Sequence, residues 1–449
     1  MSNEMELFLN ANPDITHVDA MMFDLCGKAY GKRLPRAHAG KLASQGSPVC
    51  AAMSLVDVTG NTADPMGYGF SDGDPDAMVH PVAGRIARVP WVKGLAQALC
   101  EPRHPDTGDH YWFDPRKILR QTVDRLAGDG LKPVVACELE FYLISREREE
   151  NGRPLPAMSP GSGRAETAGE VLSLSKLDEF QPVISAIEAA CAVQNIPCST
   201  VISEYGAGQF EVNLEHRDDP VAAADDALLL RRIIGAVARQ FSMDATFMSK
   251  PFPEQAGSGF HVHASLSDGA GGNRFDPAVN PQADTLLGYA AAGLMATLGE
   301  GMAIFAPNPN VYRRFEANNF TPVTLDWGYN NRSVAFRVPA SPPASRRLEH
   351  RASGAEANPY LVMAAVLAGM HHGIVEKLDP GAMATGNAGE ERNEALPFTL
   401  PDALRALRAA KILPQWLGKD YPEIYATVKE AELAAFAATI SRQEYEWYL

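Results

Sequence analysis

Three stretches of this chain place polar side chains at every second position of otherwise apolar runs. The stretches read PVVACELEFYL, GFHVHASL and RRLEHR, and each is predicted to form a β-strand. Alternate residues of a strand point to the same face of its sheet, so each strand has one polar face. The polar positions are Glu138 and Glu140, His261 and His263, and Arg347, Glu349 and Arg351. Three such strands predict one sheet with a polar face.

The two glutamates of the first stretch lie too close to be buried without a counter-charge. Burying unpaired carboxylates costs several kcal/mol, whereas a bound cation removes the conflict. A solvated strand face explains one such pattern alone, but the joint occurrence of three favours a site. Glu204 and Glu211 flank a Tyr-Gly-Ala-Gly turn that brings two more carboxylates toward one point. Carboxylates with one imidazole are hard ligands, which indicates Mg²⁺ or Mn²⁺ rather than zinc.

A cluster of arginines follows between residues 312 and 351. Its members are Arg313, Arg314, Arg332, Arg337, Arg346, Arg347 and Arg351. Guanidinium groups are permanently charged and pair with carboxylates and phosphoryl oxygens in a forked geometry. A solvated basic surface is the alternative, but apolar residues interleave with these arginines. The cluster therefore predicts a clamp for phosphate and carboxylate groups.

The length of 449 residues exceeds what one hydrophobic core usually supports, so two unequal domains are expected. The first hundred residues read as short strands and turns, which predicts a small β-rich domain. A helix is predicted to start at about Asp114, which precedes a proline as an N-cap precedes N1. The predicted domains are residues 1–110 and 111–449. The predicted strands of the second are 132–144, 209–213, 245–249, 259–267, 333–338 and 347–351, and its predicted loops are 145–168 and 378–398.

Charge and composition exclude several classes of protein. A net charge of −15 argues against nucleic-acid binding, which needs an excess of lysine and arginine on one surface. No run of about 18 apolar residues is apparent, and the N-terminus is acidic where a signal peptide is basic. We therefore expect a cytoplasmic protein without membrane contact. Six cysteines lie without paired short spacing, which argues against zinc and disulfide frameworks and predicts buried, reduced thiols.

The motifs CELEF, SEYGAGQFEVN, KPF followed by GSGFHVHASL, NNRSVAFRVP, and RRLEHR followed by ANPYL occur in this order. Their order and spacing resemble the glutamine synthetase superfamily over essentially the whole chain. The resemblance implies an α+β fold with a small N-terminal β-grasp domain and a large C-terminal α/β catalytic domain around a curved antiparallel sheet. It also implies a homo-oligomer, commonly a dodecamer of two hexameric rings, with active sites shared between subunits.

The resemblance also implies a role for each polar position. The implied ligands of one metal are Glu140, Glu204 and Glu211, and those of a second are Glu138, His261 and Glu349. The implied nucleotide contacts are His263, Ser265 and Arg347, with Arg332 and Arg337 at the transferring phosphoryl group. The implied contacts to glutamate are Arg314, Arg351 and the backbone of Gly257. Asp57 aligns with an aspartate that a neighbouring subunit contributes to the ammonium pocket, although the sequence alone also fits a turn residue.

The reaction implied by the resemblance starts with attack of the γ-carboxylate of L-glutamate on ATP, which gives γ-glutamyl phosphate. A nitrogen nucleophile then displaces phosphate, and two or more Mg²⁺ or Mn²⁺ ions neutralise charge in each active site. The positioned arginines hold the transferring group, so no covalent protein nucleophile is needed.

The chain departs from glutamine synthetase in the pocket for the nucleophile. Phe320 stands where a mobile flap carries a glutamate that binds ammonium, with Glu316 as an alternative alignment, and Ala256 replaces an asparagine before GSG. A larger, partly apolar amine fits this change. The N-terminal stretch resembles the γ-glutamylpolyamine synthetase branch, so putrescine or another polyamine is the favoured acceptor.

Three alternatives stay open: a small monoamine such as methylamine or ethanolamine, ammonium as in glutamine synthetase, or a catalytically silent relative. The group that deprotonates the amine also stays open among Asp57, Glu204 and Glu211.

Overall fold

The computed structural model describes residues 2–449, and its first part is a five-stranded sheet. The strands are β1 (His17–Phe23), β2 (Ala29–Pro35), β3 (Ser47–Cys50), β4 (Asp76–Arg88) and β5 (Leu95–Arg103). Their order is β2-β1-β5-β4-β3, with β1 and β5 parallel and the other pairs antiparallel. Two helices, α1 (Ser2–Ala11) and α2 (Arg36–Gln45), form a small core with this sheet. The predicted β-rich N-terminal part is therefore present.

A nine-stranded sheet forms the centre of the rest of the chain. Its strands are β6 (Lys132–Arg148), β7 (Pro154–Pro156), β8 (Cys198–Ser203), β9 (Gln209–Leu214), β10 (Met243–Thr246), β11 (Phe260–Ser267), β12 (Trp327–Tyr329), β13 (Phe336–Val338) and β14 (Leu348–His350). The main path runs β12-β13-β14-β11-β6-β9-β8, and β7 and β10 pair with the far part of β6. The long strand β6 therefore holds the sheet together, with β11 on one side and β9 on the other.

Helices cover this sheet. They are α3 (Pro115–Gly128), α4 (Leu174–Val193), α5 (Pro220–Gln240), α6 (Ala283–Phe305), α7 (Pro359–Glu376), α8 (Leu400–Ala409), α9 (Pro414–Leu417), α10 (Tyr421–Ala437) and α11 (Arg442–Tyr448). Helix α3 begins as predicted, because the Asp114 side chain accepts a hydrogen bond from the backbone N–H of Lys117 at 3.0 Å and Pro115 takes the first helical position. The predicted α+β class is confirmed.

Several local predictions were wrong. The predicted loop 145–168 contains the end of β6 and all of β7, and strands β8 and β12 were missed. The pairs of the large sheet are antiparallel, as expected, except for β12 and β13, which are parallel. The strands β7, β8 and β12, which were not predicted, are three to six residues long, and such short runs carry little periodicity of their own. Cys50 is exposed, which also contradicts the expectation that all cysteines are buried.

The helices α6 and α7 pack against each other in the core. A Cβ atom at Gly293 would lie 2.0 Å from the carbonyl oxygen of Gly369, so glycine is required where the two backbones touch. One 18-residue window of α6 has the hydropathy of a membrane span, which the sequence inspection missed, and 72% of that window is buried inside the fold. Its apolarity is explained by packing in the core.

One side of the first sheet joins the core of the larger sheet. Met21, Phe23 and Leu99 of the first sheet belong to the same buried cluster as the strands and helices around β6. The division of the chain into domains at residue 110 stays a prediction.

Candidate active site

Paired positions on neighbouring strands bring the predicted polar residues onto one face of the large sheet. The cross-strand pairs are Glu138 with His261, Glu140 with Glu211, His263 with Glu349, and Arg337 with Glu349. The alternate residues Leu139, Phe141 and Val262 are at most 1% exposed and point into the core. The period-two patterns therefore position these side chains as predicted, because each strand keeps one face in the core.

Three groups of side chains on this face have the donors and spacing of a metal site. Within each group the ligand atoms lie within 4.8 Å of one another, and the groups are Glu140, Glu204 and Glu211; Glu138, Glu211 and His261; and Glu138, His263 and Glu349. The first group equals the predicted first ligand set. Glu349 is grouped with Glu138 and His263, and His261 is grouped with Glu138 and Glu211, so the predicted second set is divided between the other two groups and stays a prediction. The pairing of His263 with Glu349 between neighbouring strands explains why these two side chains lie together.

The carboxylates of the first group repel one another in a buried environment. Burial, followed by the charge of Glu140, raises the pKa of Glu204 to about 7. Burial and the charges of Glu138, Glu140 and Glu204 raise the pKa of Glu211 well above its ordinary value. A divalent cation relieves this repulsion and suits hard oxygen donors, so the residues present fit Mg²⁺ or Mn²⁺.

Imidazole and guanidinium groups surround the other two carboxylates. The Nδ1 atom of His261 lies 3.1 Å from Glu138 and the Nε2 atom of His263 lies 2.8 Å from it. Burial favours a higher pKa for Glu138, but the two histidines outweigh burial and hold the pKa well below its ordinary value. Glu349 is 1% exposed and accepts from Arg337 at 2.9 Å and from Arg351. Burial raises the pKa of Glu349, but the charges of Arg351, His263 and His261 outweigh burial and lower the pKa to about 2.

Three arginines have a buried Nε donor left free for an anionic ligand. The Nε atoms of Arg314, Arg337 and Arg351 lack a hydrogen-bond partner among residues 2–449. A buried guanidinium group with unpaired donors is costly unless a ligand completes its hydrogen bonds. Gly257 lies against Arg314, and a Cβ atom at that position would come within 2.6 Å of the arginine Cγ. Arginines and glycine are therefore brought together, as the sequence predicted.

A cleft connects the predicted substrate and nucleotide residues. Its first cavity has a volume of about 630 Å³, and the predicted site residues among its lining are Glu138, Glu140, Glu204, Glu211, Gly257, His261, Arg314, Phe320, Arg332, Arg337 and Arg351. A second cavity of about 490 Å³ shares Glu138 and contains His263 and Arg347. A third of about 530 Å³ shares Arg347 and contains Ser265. The shared residues make the three cavities neighbours, with room for a small substrate and a nucleotide.

Two predicted site residues do not line this cleft: Glu349, which contacts the lining residues Arg337 and Arg351, and Asp57. The Asp57 carboxylate accepts hydrogen bonds from the backbone of Thr59 and of Asn61, at 2.8 and 2.9 Å, and from the Thr59 hydroxyl at 2.6 Å. Within one chain Asp57 therefore stabilises its own turn. A catalytic role for Asp57 stays a prediction that requires a second subunit.

Several polar residues in or beside the cleft were not predicted, among them Gln209, Asn213 and His216. Gln209 donates to the Gly257 carbonyl at 3.0 Å and lies 3.5 Å from Glu140, and Asn213 lines two of the cavities. Gln209, Glu211 and Asn213 occupy every second position of β9, so the same period-two rule places all three on one face of the strand. His216 lines the second and third cavities, and it follows the strand, where no periodicity identifies it.

Comparison with known proteins decides the family. The glutamine synthetase catalytic domain matches residues 113–448. The chain belongs to the glutamine synthetase family. It is 35% identical to the γ-glutamylputrescine synthetase PuuA of Escherichia coli K12, over 100% of this chain and 94% of that protein. It is 31% identical to a glutamate–isopropylamine ligase of a Pseudomonas species, over 95% of this chain and 93% of that protein.

Solved structures give the same result. The structure of GmaS in complex with ADP has a TM-score of 0.83 and 25% identity, and the match covers 100% of this chain and 99% of that chain. The predicted family and the glutamine synthetase fold are confirmed. The protein is a ligase, and its family uses ATP, glutamate, an amine and divalent metal ions.

The crowded carboxylates make stability depend on pH and metal together. Because the pKa of Glu204 is raised from 4.5 to about 7 on folding, the folded chain binds more protons than the unfolded chain between those values. In the absence of metal, the stabilisation that comes from protonated Glu204 is therefore lost as pH rises through this window. Metal binding must displace those protons. We expect the increase in Tm caused by Mg²⁺ or Mn²⁺, relative to a chelator, to grow between about pH 5.5 and about pH 7.5.

The variant Glu204→Gln is the control for this prediction, because it cannot titrate. Its metal-induced increase in Tm should be smaller and should change less with pH. An increase that is the same at both pH values in the unmodified protein would contradict the assignment of Glu204 to a metal site.

Proposed function

We propose that this enzyme joins the γ-carboxylate of L-glutamate to an amine, through γ-glutamyl phosphate, as ATP is converted to ADP. The favoured acceptor is a polyamine such as putrescine, which places the enzyme in amine catabolism. The names of the two similar ligases, one for putrescine and one for isopropylamine, support an amine with an alkyl chain.

The apolar wall beside the carboxylate cluster carries this proposal. Phe320 lines the same cavity as Glu204, and its ring centre lies 6.0 Å from that of Tyr205. A phenyl ring neither accepts a proton nor pairs with ammonium, but it packs well against an alkyl chain. Glu316, the alternative flap residue, is exposed and does not line the cavity. The side of the cavity that would hold ammonium in a glutamine synthetase is therefore suited to a larger amine.

The cluster residues act by holding charge in place. We assign Glu140, Glu204 and Glu211 to one metal ion, Mg²⁺ or Mn²⁺. We assign Glu138 to a second such ion, together with His261, His263 or Glu349. The bound ions neutralise negative charge on the phosphate groups. Deprotonation of the amine falls to Glu204 or Glu211, which line its cavity.

The arginines hold the anionic groups of both substrates. Arg314 and Arg351, buried and with free Nε donors, are assigned to the carboxylates of glutamate, beside the backbone of Gly257. Arg332 and Arg337 line the same cavity and are assigned to the transferring phosphoryl group. Charge that develops on that group in the transition state is stabilised by these fixed donors.

The nucleotide is assigned to the two further cavities of the cleft. Arg347 lines both of them and donates to His263 at 3.0 Å, which orients the guanidinium group along the path from Glu138 to Ser265. ATP in this position places its terminal phosphate toward the carboxylate cluster.

We also propose a cytoplasmic homo-oligomer, a dodecamer of two hexameric rings. The predicted catalytic role of Asp57 depends on this arrangement, because Asp57 does not line the cavity of its own chain.

An amine panel tests the proposed function. Phosphate release with glutamate, ATP and Mg²⁺ is measured with ammonium, methylamine, ethanolamine, putrescine and spermidine, and the product is identified by mass. We expect putrescine or another alkyl amine to have the highest kcat/KM. Ammonium as the best acceptor would identify a glutamine synthetase, and no turnover with any acceptor would identify a silent relative.

A further inference from the structure

A strained leucine borders the proposed amine cavity. Leu172 has a φ of +58°, a left-handed conformation that leucine rarely adopts, and 67% of its surface is exposed. It lines the cavity together with Val171, Tyr205 and Phe320. Strained backbone with an exposed apolar side chain at a binding cavity points to a function for that side chain.

The segment of residues 169–173 is fixed against the end of β8, so the position of Leu172 is well defined. The Leu172 N–H donates to the Ser203 carbonyl at 2.9 Å, and the Ser203 hydroxyl donates to the Glu170 carbonyl at 2.9 Å. The same hydroxyl accepts from the Ser173 N–H at 2.8 Å, and Ser203 is 2% exposed. A Cβ atom at Gly169 would lie 2.0 Å from the Tyr205 carbonyl oxygen, so this segment touches the backbone of the next turn.

The cavity is lined by both charged and apolar groups. The charged groups include the carboxylates of Glu204 and Glu211, beside which the amine nitrogen must react in the proposed function. Ile202 pairs with Glu211 across β8 and β9 and also lines the cavity. The remaining apolar wall is formed by Leu172 with its neighbour Val171 and by the aromatic pair. In the proposed function, the alkyl chain of an amine that reacts beside these carboxylates packs on this wall.

We propose that Leu172 is a specificity-determining residue that selects acceptor amines by the length of their alkyl chain. This inference rests on the proposed function. Each methylene group that packs on the wall is expected to raise kcat/KM about threefold to fourfold, until the chain reaches solvent. Methylamine has no methylene group to pack on this wall, whereas butylamine and putrescine each have several.

The test compares primary amines of one to five carbons in the unmodified enzyme and in Leu172→Ala. The ratio of kcat/KM for butylamine to that for methylamine is expected to fall at least about fivefold in the variant. The variant Leu172→Gly should show the same fall, and because glycine adopts a φ of +58° without strain, it separates loss of the side chain from loss of the fold. Leu174→Ala is the matched control, since Leu174 is 74% exposed and does not line the cavity, and it should keep the ratio.

The outcomes separate this inference from the proposed function. A fall in turnover that is equal for all amines, or an unchanged ratio, would show that Leu172 only supports the fold and would overturn the inference. An unmodified enzyme that uses ammonium alone would overturn the proposed function, whatever the variants do.

Discussion

Replacing Glu140 by glutamine is expected to abolish turnover, with a loss in kcat of at least about 10³-fold. Glu140 belongs to the three-carboxylate group on the polar face of the sheet, where it accepts from the Gly259 N–H at 2.8 Å and lies opposite Glu211. An amide keeps the shape and the hydrogen bond but removes one of the charges that a divalent cation needs. The measurement is phosphate release under saturating glutamate, ATP, Mg²⁺ and the best amine.

The stability of this variant separates a metal ligand from a structural residue. The charge of Glu140 contributes to the raised pKa of both Glu204 and Glu211, so removing it relieves repulsion. Without metal, the Tm of Glu140→Gln should equal or exceed that of the unmodified protein. Glu147→Gln, an exposed position on the same strand, is the control and should keep full activity. Substantial activity in Glu140→Gln would show that the metal assignment is wrong.

The polar face of the sheet was predictable because its signal is local. Glu138 and Glu140, or His261 and His263, are two residues apart on one strand, and the pleat of any strand puts such pairs on one side. The strand order that makes Glu138 a neighbour of His261 is not local. Only the family resemblance brought Glu138 and His261 together, in one implied ligand set, because strand register depends on contacts between residues more than a hundred positions apart.

Other features of the site have no signal in the sequence. Leu172 looks like an ordinary loop residue, and its proposed role depends on a backbone angle and on its contact with Ser203, 31 residues away. The grouping of Glu349 with His263 depends on the register of a three-residue strand. The short strands β7, β8 and β12 form because neighbouring strands offer hydrogen bonds, so tertiary contacts override their weak propensity.

The partners of buried charged residues are also not predictable from the sequence. Asp225 and Asp226 lie in an apolar part of α5, where the sequence marks two unusual charges but not their partners. In the structure, the partners of Asp225 come from β4, α3 and α7. The contacts of Asp225 are Arg85 at 3.2 Å, Arg116 at 2.9 Å and the Tyr360 hydroxyl at 2.6 Å. This network links the first sheet to the helices of the larger part of the chain.

Replacing Asp225 by alanine is therefore expected to destabilise the protein by about 3–5 kcal/mol. Asp225 is 0% exposed and Arg116 is 7% exposed, so the change leaves buried guanidinium nitrogens and a tyrosine hydroxyl with fewer partners. The entropy of unfolding grows by about 2.1 cal/mol/K per residue, so this loss corresponds to a decrease in Tm of about 3–5 °C for a chain of this length. Calorimetry at one fixed protein concentration measures it.

The exposed pair Arg442–Glu446 provides the control for this prediction. Both side chains are more than half exposed, so Glu446→Ala should change the free energy of unfolding by about 1 kcal/mol or less. Asp225→Asn should fall between the two, because the amide oxygen still accepts a hydrogen bond from an arginine while the charge is lost. If Asp225→Ala lowered Tm no more than Glu446→Ala, the link between the two sheets would depend on apolar packing alone, through Met21, Phe23 and Leu99.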